Sequence, residues 1–170
     1  IYFCKTSGTT SGTKYIPITK ESMPGHLTSA RDAILNYIAK TKNISIVNGK
    51  MIFLQGTPEL TKTGGILTGR LSGIVAHHIP SYLMKNRLPT HNTNCIDDWE
   101  SKIDAIVKET VNENMTVISG IPPWVQMYFE KLQTKTKKKI KDLFQNFDLF
   151  IYGGVNFEPY KKNFQNIIGK

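Results

Sequence analysis

The sequence predicts an α/β fold with a mainly parallel sheet flanked by helices. Two observations carry this. Short apolar runs with no alternation, "MTVISG" at 115–120 and "FDLFIYGG" at 147–154, are separated by segments with helical spacing. Such continuous runs belong to strands covered on both faces, as in parallel sheets. Glycines then close the second run at Gly153 and Gly154, as expected of a strand-to-helix turn.

The elements follow in order. "IYFC" at the start reads as a buried strand and "KYIPI" at 14–18 as a second one. In "ESMPGHLTSARDAILNYIAKTK", Ala30, Ala33, Ile34, Tyr37 and Ile38 recur at helical spacing. Asn48-Gly49 marks a turn before a strand at 51–54. Residues 55–93 are rich in Gly, Thr and Pro and read as one long connection, of the kind that usually serves function. "DDWESKIDAIVKETV" places Asp97 and Glu100 at capping-box spacing, with Trp99, Ile103, Ile106, Val107 and Val111 on one face. "PPWVQMYFEKL" opens a helix with proline in its first turn, and a last helix is expected near 158–168.

Length and composition set limits. The 170 residues suffice for one domain with a real core, and no apolar run reaches the length of a membrane span. Two cysteines, Cys4 and Cys95, are too few for a disulfide framework, which points to a reducing, cytoplasmic setting. The net charge is +9, and its densest run is "KLQTKTKKKIKDLF". Without interleaved arginines or aromatics, that run reads as a solvated helix face rather than a nucleic-acid surface. His77 and His78 lack ligand-spaced partners and point apart, so they read as structural.

The chemistry concentrates in "KTSGTTSGTKYIPIT", residues 5–19. Gly8 and Gly12 let the backbone approach a ligand, and successive N–H groups in such a turn attract anions. The hydroxyls of Thr6, Ser7, Thr9, Thr10 and Ser11 add rotatable donors, and Lys14 adds a mobile charge. Glycine spacing excludes a Walker A loop, because Gly8 and Gly12 stand four apart and Thr13 follows. A flexible surface loop remains the alternative. In α/β folds ligands bind beyond the carboxyl ends of strands, which describes both this loop and "YGGVNFEPY" at 152–160. The two could face each other across one crevice.

These stretches carry a resemblance. "TSGTTSGTKYIP" resembles the phosphate-binding motif of the adenylate-forming superfamily, in the form used by the auxin-responsive promoter family of acyl-acid amido synthetases. "SGIPPWVQMYFEKL" followed by "LFIYGGVNFEPY" is similar to the later part of that family's large N-terminal domain, in its bacterial branch. The resemblance implies an ATP- and Mg²⁺-dependent ligase. A carboxylic acid would become an acyl-adenylate, and an amine, usually of an amino acid, would then take the acyl group. It assigns Thr6, Ser7, Gly8, Thr9, Thr10, Ser11, Gly12 and Lys14 to the ATP phosphates. It assigns Gly153, Gly154 and Val155, flanked by Tyr160, to the adenine and acyl groups. Arg31 either pairs with the acyl carboxylate or sits on a solvated helix face. No metal ligand is expected in these residues. An acyl-activating enzyme that passes the acyl group to a thiol, and a basic nucleic-acid-binding module, are the alternatives.

The chain opens inside an apparent core strand without an initiator methionine, so residues 1–170 read as a partial adenylating domain, incomplete at both ends. The resemblance also implies a Y-x-[AS]-S-E run that helps hold Mg²⁺, a ribose-binding Asp and a small C-terminal closing domain, none of which lies in this sequence. Expressed alone, the segment is therefore expected to be poorly soluble and to form no acyl-adenylate. Refolding, a thermal melt and pyrophosphate exchange against a panel of carboxylic acids check this.

Overall fold

The computed structural model describes residues 1–6 and 12–168. In chain order the first elements are β1 (Tyr2–Lys5), β2 (Tyr15–Ile18), α1 (Met23–Thr41), β3 (Lys50–Phe53), β4 (Thr61–Thr63) and β5 (Ile66–Gly69). Next come α2 (Leu71–Ala76), α3 (Ser81–Met84), β6 (Arg87–Leu88), α4 (His91–Asn94), α5 (Trp99–Thr110) and β7 (Met115–Ser119). The last are α6 (Pro122–Thr136), α7 (Ile140–Leu143), β8 (Leu149–Ile151) and α8 (Glu158–Ile168). They form two units. One comprises Ile1–Asn43 with Gln55–Met84, the other Ile44–Leu54 with Lys85–Lys170.

The first unit holds a mixed sheet in the order β2-β1-β5-β4. β1 pairs antiparallel with β2, Lys5 opposite Tyr15, and parallel with β5, Cys4 opposite Gly69. β4 and β5 form a hairpin across Gly64 and Gly65, both at positive φ, which is the two-residue turn that matches strand twist. Ile18, Met23 and Ile74 are buried, with Tyr2, Cys4, Leu60 and Val75 packed on them. Cys4 is thus half-buried in a central strand. On α1 only Met23 is buried; Ile34, Tyr37 and Ile38 are partly covered, while Ala30 and Ala33 face solvent. The helix ends at Lys42, which adopts φ 58° and donates its N–H to Ile38 O.

The second unit holds the parallel sheet, in the order β6-β3-β7-β8. β7, α6 and β8 make one crossover. The core joins Ile52 and Ile118 of the strands to Ile103 and Ile106 of α5 and to Val125, Phe129 and Leu132 of α6. Phe129 meets Phe147 and Phe164 edge-on. Trp99 and Trp124 pack with ring centres 4.3 Å apart. The expected apolar face of α5 is therefore the buried one. Its cap is Asp98 rather than Asp97, because the helix starts at Trp99; the Asp98 carboxylate accepts the Ser101 N–H at 2.8 Å. Hydrogen bonding by Ser101 holds the Asp98 carboxyl below the usual aspartate range.

Three further expectations change. Residues 55–93, read as one connection, contain β4, β5, α2, α3 and β6 and begin α4. The strand expected at 147–154 pairs only over Leu149–Ile151. The lysine-rich run also fails to form one helix face. Lys131 and Lys135 lie on α6, Lys137 caps it at φ 58°, and Lys141 lies on α7.

A bulge sets the entry to β3. Lys50 stands opposite Met115 and Met51 opposite Val117, so Thr116 is the extra residue. Thr116 Oγ1 donates to Ile46 O at 2.6 Å. Gly49 lies so close that a Cβ there would stand 2.3 Å from Thr116 Cγ2 and 2.6 Å from Asn114 O. Gly49→Ala is expected to destabilise the fold by about 2 kcal/mol through overpacking. Urea unfolding followed by tryptophan fluorescence measures it.

Candidate functional site

The hydroxyl-rich loop joins two strands, as the sequence predicts, and the structure pairs them antiparallel. Its two ends are tied to each other. The Thr6 N–H donates to Lys14 O at 3.0 Å, and the Lys14 N–H donates to Thr6 Oγ1 at 3.1 Å. This pair extends the β1–β2 ladder by one step and makes the mouth of the hairpin. Gly12 has φ 77° with open space around it, so the backbone angle, not crowding, calls for glycine. The Lys14 side chain is exposed and makes no ion pair among the described residues. Ser7, Gly8, Thr9, Thr10 and Ser11 lie outside the described residues.

The second glycine loop leaves β8 in the other unit. Its base is aromatic: Tyr152 stacks on Phe157 with centres 4.3 Å apart, and Phe157 packs on Phe150 and Phe164. Asn156 Oδ1 accepts the Glu158 N–H at 3.1 Å and so starts α8. The stacked pair and this cap fix both ends of a loop whose apex, Gly153 to Val155, is exposed. Tyr160 is partly buried against the core. The two glycines differ. Gly154 has φ 83°, and a Cβ there would stand 3.1 Å from Ile121 Cγ2, so the turn itself requires it. Gly153 has no positive φ, and a Cβ there would meet nothing within 4 Å.

Other candidates fall elsewhere. Arg31 is exposed on α1 and pairs with its neighbour Asp32 at 2.9 Å. His77 Nε2 lies 2.9 Å from Pro58 O, and His78 Nε2 lies 3.2 Å from the Tyr2 hydroxyl. Each histidine thus has a structural partner in the first unit. In the second unit Lys102 is buried and donates to Asn94 O at 2.6 Å; burial lowers the pKa of its ammonium. Glu109 accepts from the Thr90 N–H and from the hydroxyls of Thr90 and Thr93, tying α4 to α5. Among the described residues no three or more His, Cys, Asp or Glu side chains are grouped to hold a metal ion. No described helix is long and apolar enough to cross a membrane.

Sequence reasoning did not single out Arg70. It directly follows β5 and is exposed, with its stem against Gly56. The available signal was "TKTGGILTGR", a two-glycine hairpin whose second strand ends in arginine.

The model of the GH3 family N-terminal domain matches residues 1–98 of the chain, a span that contains the whole hydroxyl-rich hairpin. The chain belongs to the GH3 family. No curated protein matches it by sequence. Among solved structures it is similar to the Arabidopsis AtGH3.15 acyl acid amido synthetase in complex with 2,4-DB. The TM-score is 0.52 at 13% identity, over 99% of this chain and 29% of that one. The likeness is one of fold, and the chain spans under a third of that GH3 protein's length.

The two glycines of the second loop can be separated experimentally. Gly154→Ala is expected to cost about 1–2 kcal/mol, the strain of a non-glycine residue at positive φ. Gly153→Ala is expected to stay within about 0.5 kcal/mol of the parent. Denaturation midpoints of the two variants check this.

Proposed function

We propose that this chain is the ATP-handling part of an acyl acid amido synthetase. The observation that carries the reading is the GH3 family match across residues 1–98, on a hairpin whose loop has the composition of a phosphate grip. In this reading Thr6, Ser7, Gly8, Thr9, Thr10, Ser11 and Gly12 surround the phosphates of Mg²⁺-bound ATP, with Lys14 supplying charge. Hydrogen bonds between Thr6 and Lys14 close the mouth of the loop, which fixes where it leaves and rejoins the strands.

The reaction has two steps. A carboxylate oxygen attacks the α-phosphorus of ATP, the bond to the β-phosphate oxygen breaks, and pyrophosphate leaves. An amine nitrogen then attacks the acyl carbonyl, loses a proton, and expels AMP. The part of these residues is to bind and orient the phosphates. Gly153, Gly154 and Val155, with Tyr160 nearby in sequence, are assigned to the adenine and acyl groups. Gly153 is the position where a ligand's close approach is the remaining reason for glycine. The acceptor is an amino acid, the branch is the bacterial one, and the setting is cytoplasmic. The reading has no role for nucleic acid.

The test uses the intact protein. Ser7→Ala combined with Thr9→Ala is expected to reduce carboxylate-dependent ATP–pyrophosphate exchange by about ten- to a thousandfold, the cost of losing oxyanion-type donors. Unchanged exchange would take both residues out of the site.

A further inference from the structure

Strands β1 and β5 run parallel, with Phe3 opposite Thr68 and Cys4 opposite Gly69. Their carboxyl ends therefore leave the sheet side by side, about 4.8 Å apart. Thr6 begins the hairpin mouth from one end, and Arg70 follows the other. The Arg70 side chain makes no hydrogen bond or ion pair among the described residues. Its stem is nevertheless held. A Cβ on Gly56 would stand 2.7 Å from Arg70 Cδ, so the arginine lies directly on the glycine backbone. The segment carrying Gly56 is itself pinned to α2. Pro58 O meets His77 Nε2, and a Cβ on Gly73 would stand 2.9 Å from Thr57 O. Beside Gly56, the side-chain nitrogen of Gln55 is buried with no partner among the described residues, a donor in need of an acceptor.

We propose that Arg70 is a further anion-binding residue of the site and takes phosphate oxygens of the nucleotide beside Thr6 and Lys14. The inference rests on the reading of this chain as ATP-handling. A surface arginine usually waves in solvent or pairs with a carboxylate. Here the stem is pinned, the planar fork is unoccupied among the described residues, and the neighbouring element is the hairpin mouth. An arginine fork matches phosphate oxygens two at a time, which the mobile Lys14 ammonium cannot do. Phosphate is favoured over the acyl carboxylate because the end of β5 that carries Arg70 lies beside the hairpin mouth at Thr6.

The experiment is calorimetric titration of the intact protein with ATP and with adenosine. Arg70→Gln keeps the stem as far as Cδ, which packs on Gly56, and removes the charge. It is expected to weaken ATP binding by tenfold or more while leaving adenosine binding and the melting temperature unchanged. Arg70→Lys should fall between the two, and Lys62→Ala on β4 should match the parent. Equal ATP affinity in Arg70→Gln and the parent would overturn the inference and leave the ATP reading standing. So would equal losses for ATP and adenosine, or a loss confined to the carboxylic acid. A parent protein that binds no ATP would overturn the ATP reading itself.

Discussion

Strand β1 is hydrogen-bonded on both sides, antiparallel to β2 and parallel to β5, and the candidate site depends on that double pairing. The antiparallel side turns the chain back and closes the hydroxyl-rich loop at Thr6 and Lys14. The parallel side brings the end of β5, and with it Arg70, to the same edge of the sheet. A one-residue slip in either register would send alternate side chains to the other face and part these residues. Buried contacts oppose such a slip: Ile18 of β2, Met23 and Ile74 are covered by Tyr2 and Cys4 of β1.

The first unit does this with little apolar mass. Its buried cluster is small, so backbone pairing and close glycine packing carry much of its definition. Gly56 and Gly73 let the segment at 55–58 lie on Arg70 and on α2, backbone against side chain and backbone against backbone. The second unit is built differently. Its parallel sheet is covered by aromatic and branched side chains of α5, α6 and α8, with Tyr128, Phe129 and Leu132 fully buried. The Tyr128 hydroxyl meets Thr110 Oγ1 at 2.7 Å, so its one polar atom is satisfied inside that core, and burial raises its pKa far above the ordinary tyrosine range.

The glycines of the two candidate loops differ in cause. Gly12 and Gly154 are explained by left-handed backbone angles. Gly153 is explained by nothing in its surroundings. Below the apex of its loop Tyr152 stacks on Phe157.

Local signals in the sequence determined the long helices, the unalternating strands β7 and β8, and the two glycine-bearing loops. Each of these is encoded by neighbours in the chain: apolar spacing in α5, proline at the start of α6, paired glycines after β8. The hydroxyl motif was equally legible, because its chemistry is its composition. Tertiary structure alone decided the rest. The short strands β4, β5 and β6 carry too few residues for a periodic signal and exist only through their partners. The cap moved from Asp97 to Asp98 because the packing of Trp99 set where α5 begins. Arg70 was invisible as a candidate for the same reason. Its place beside Thr6 comes from a parallel pairing between strands some sixty residues apart in sequence, and no local pattern records which strand lies next to which.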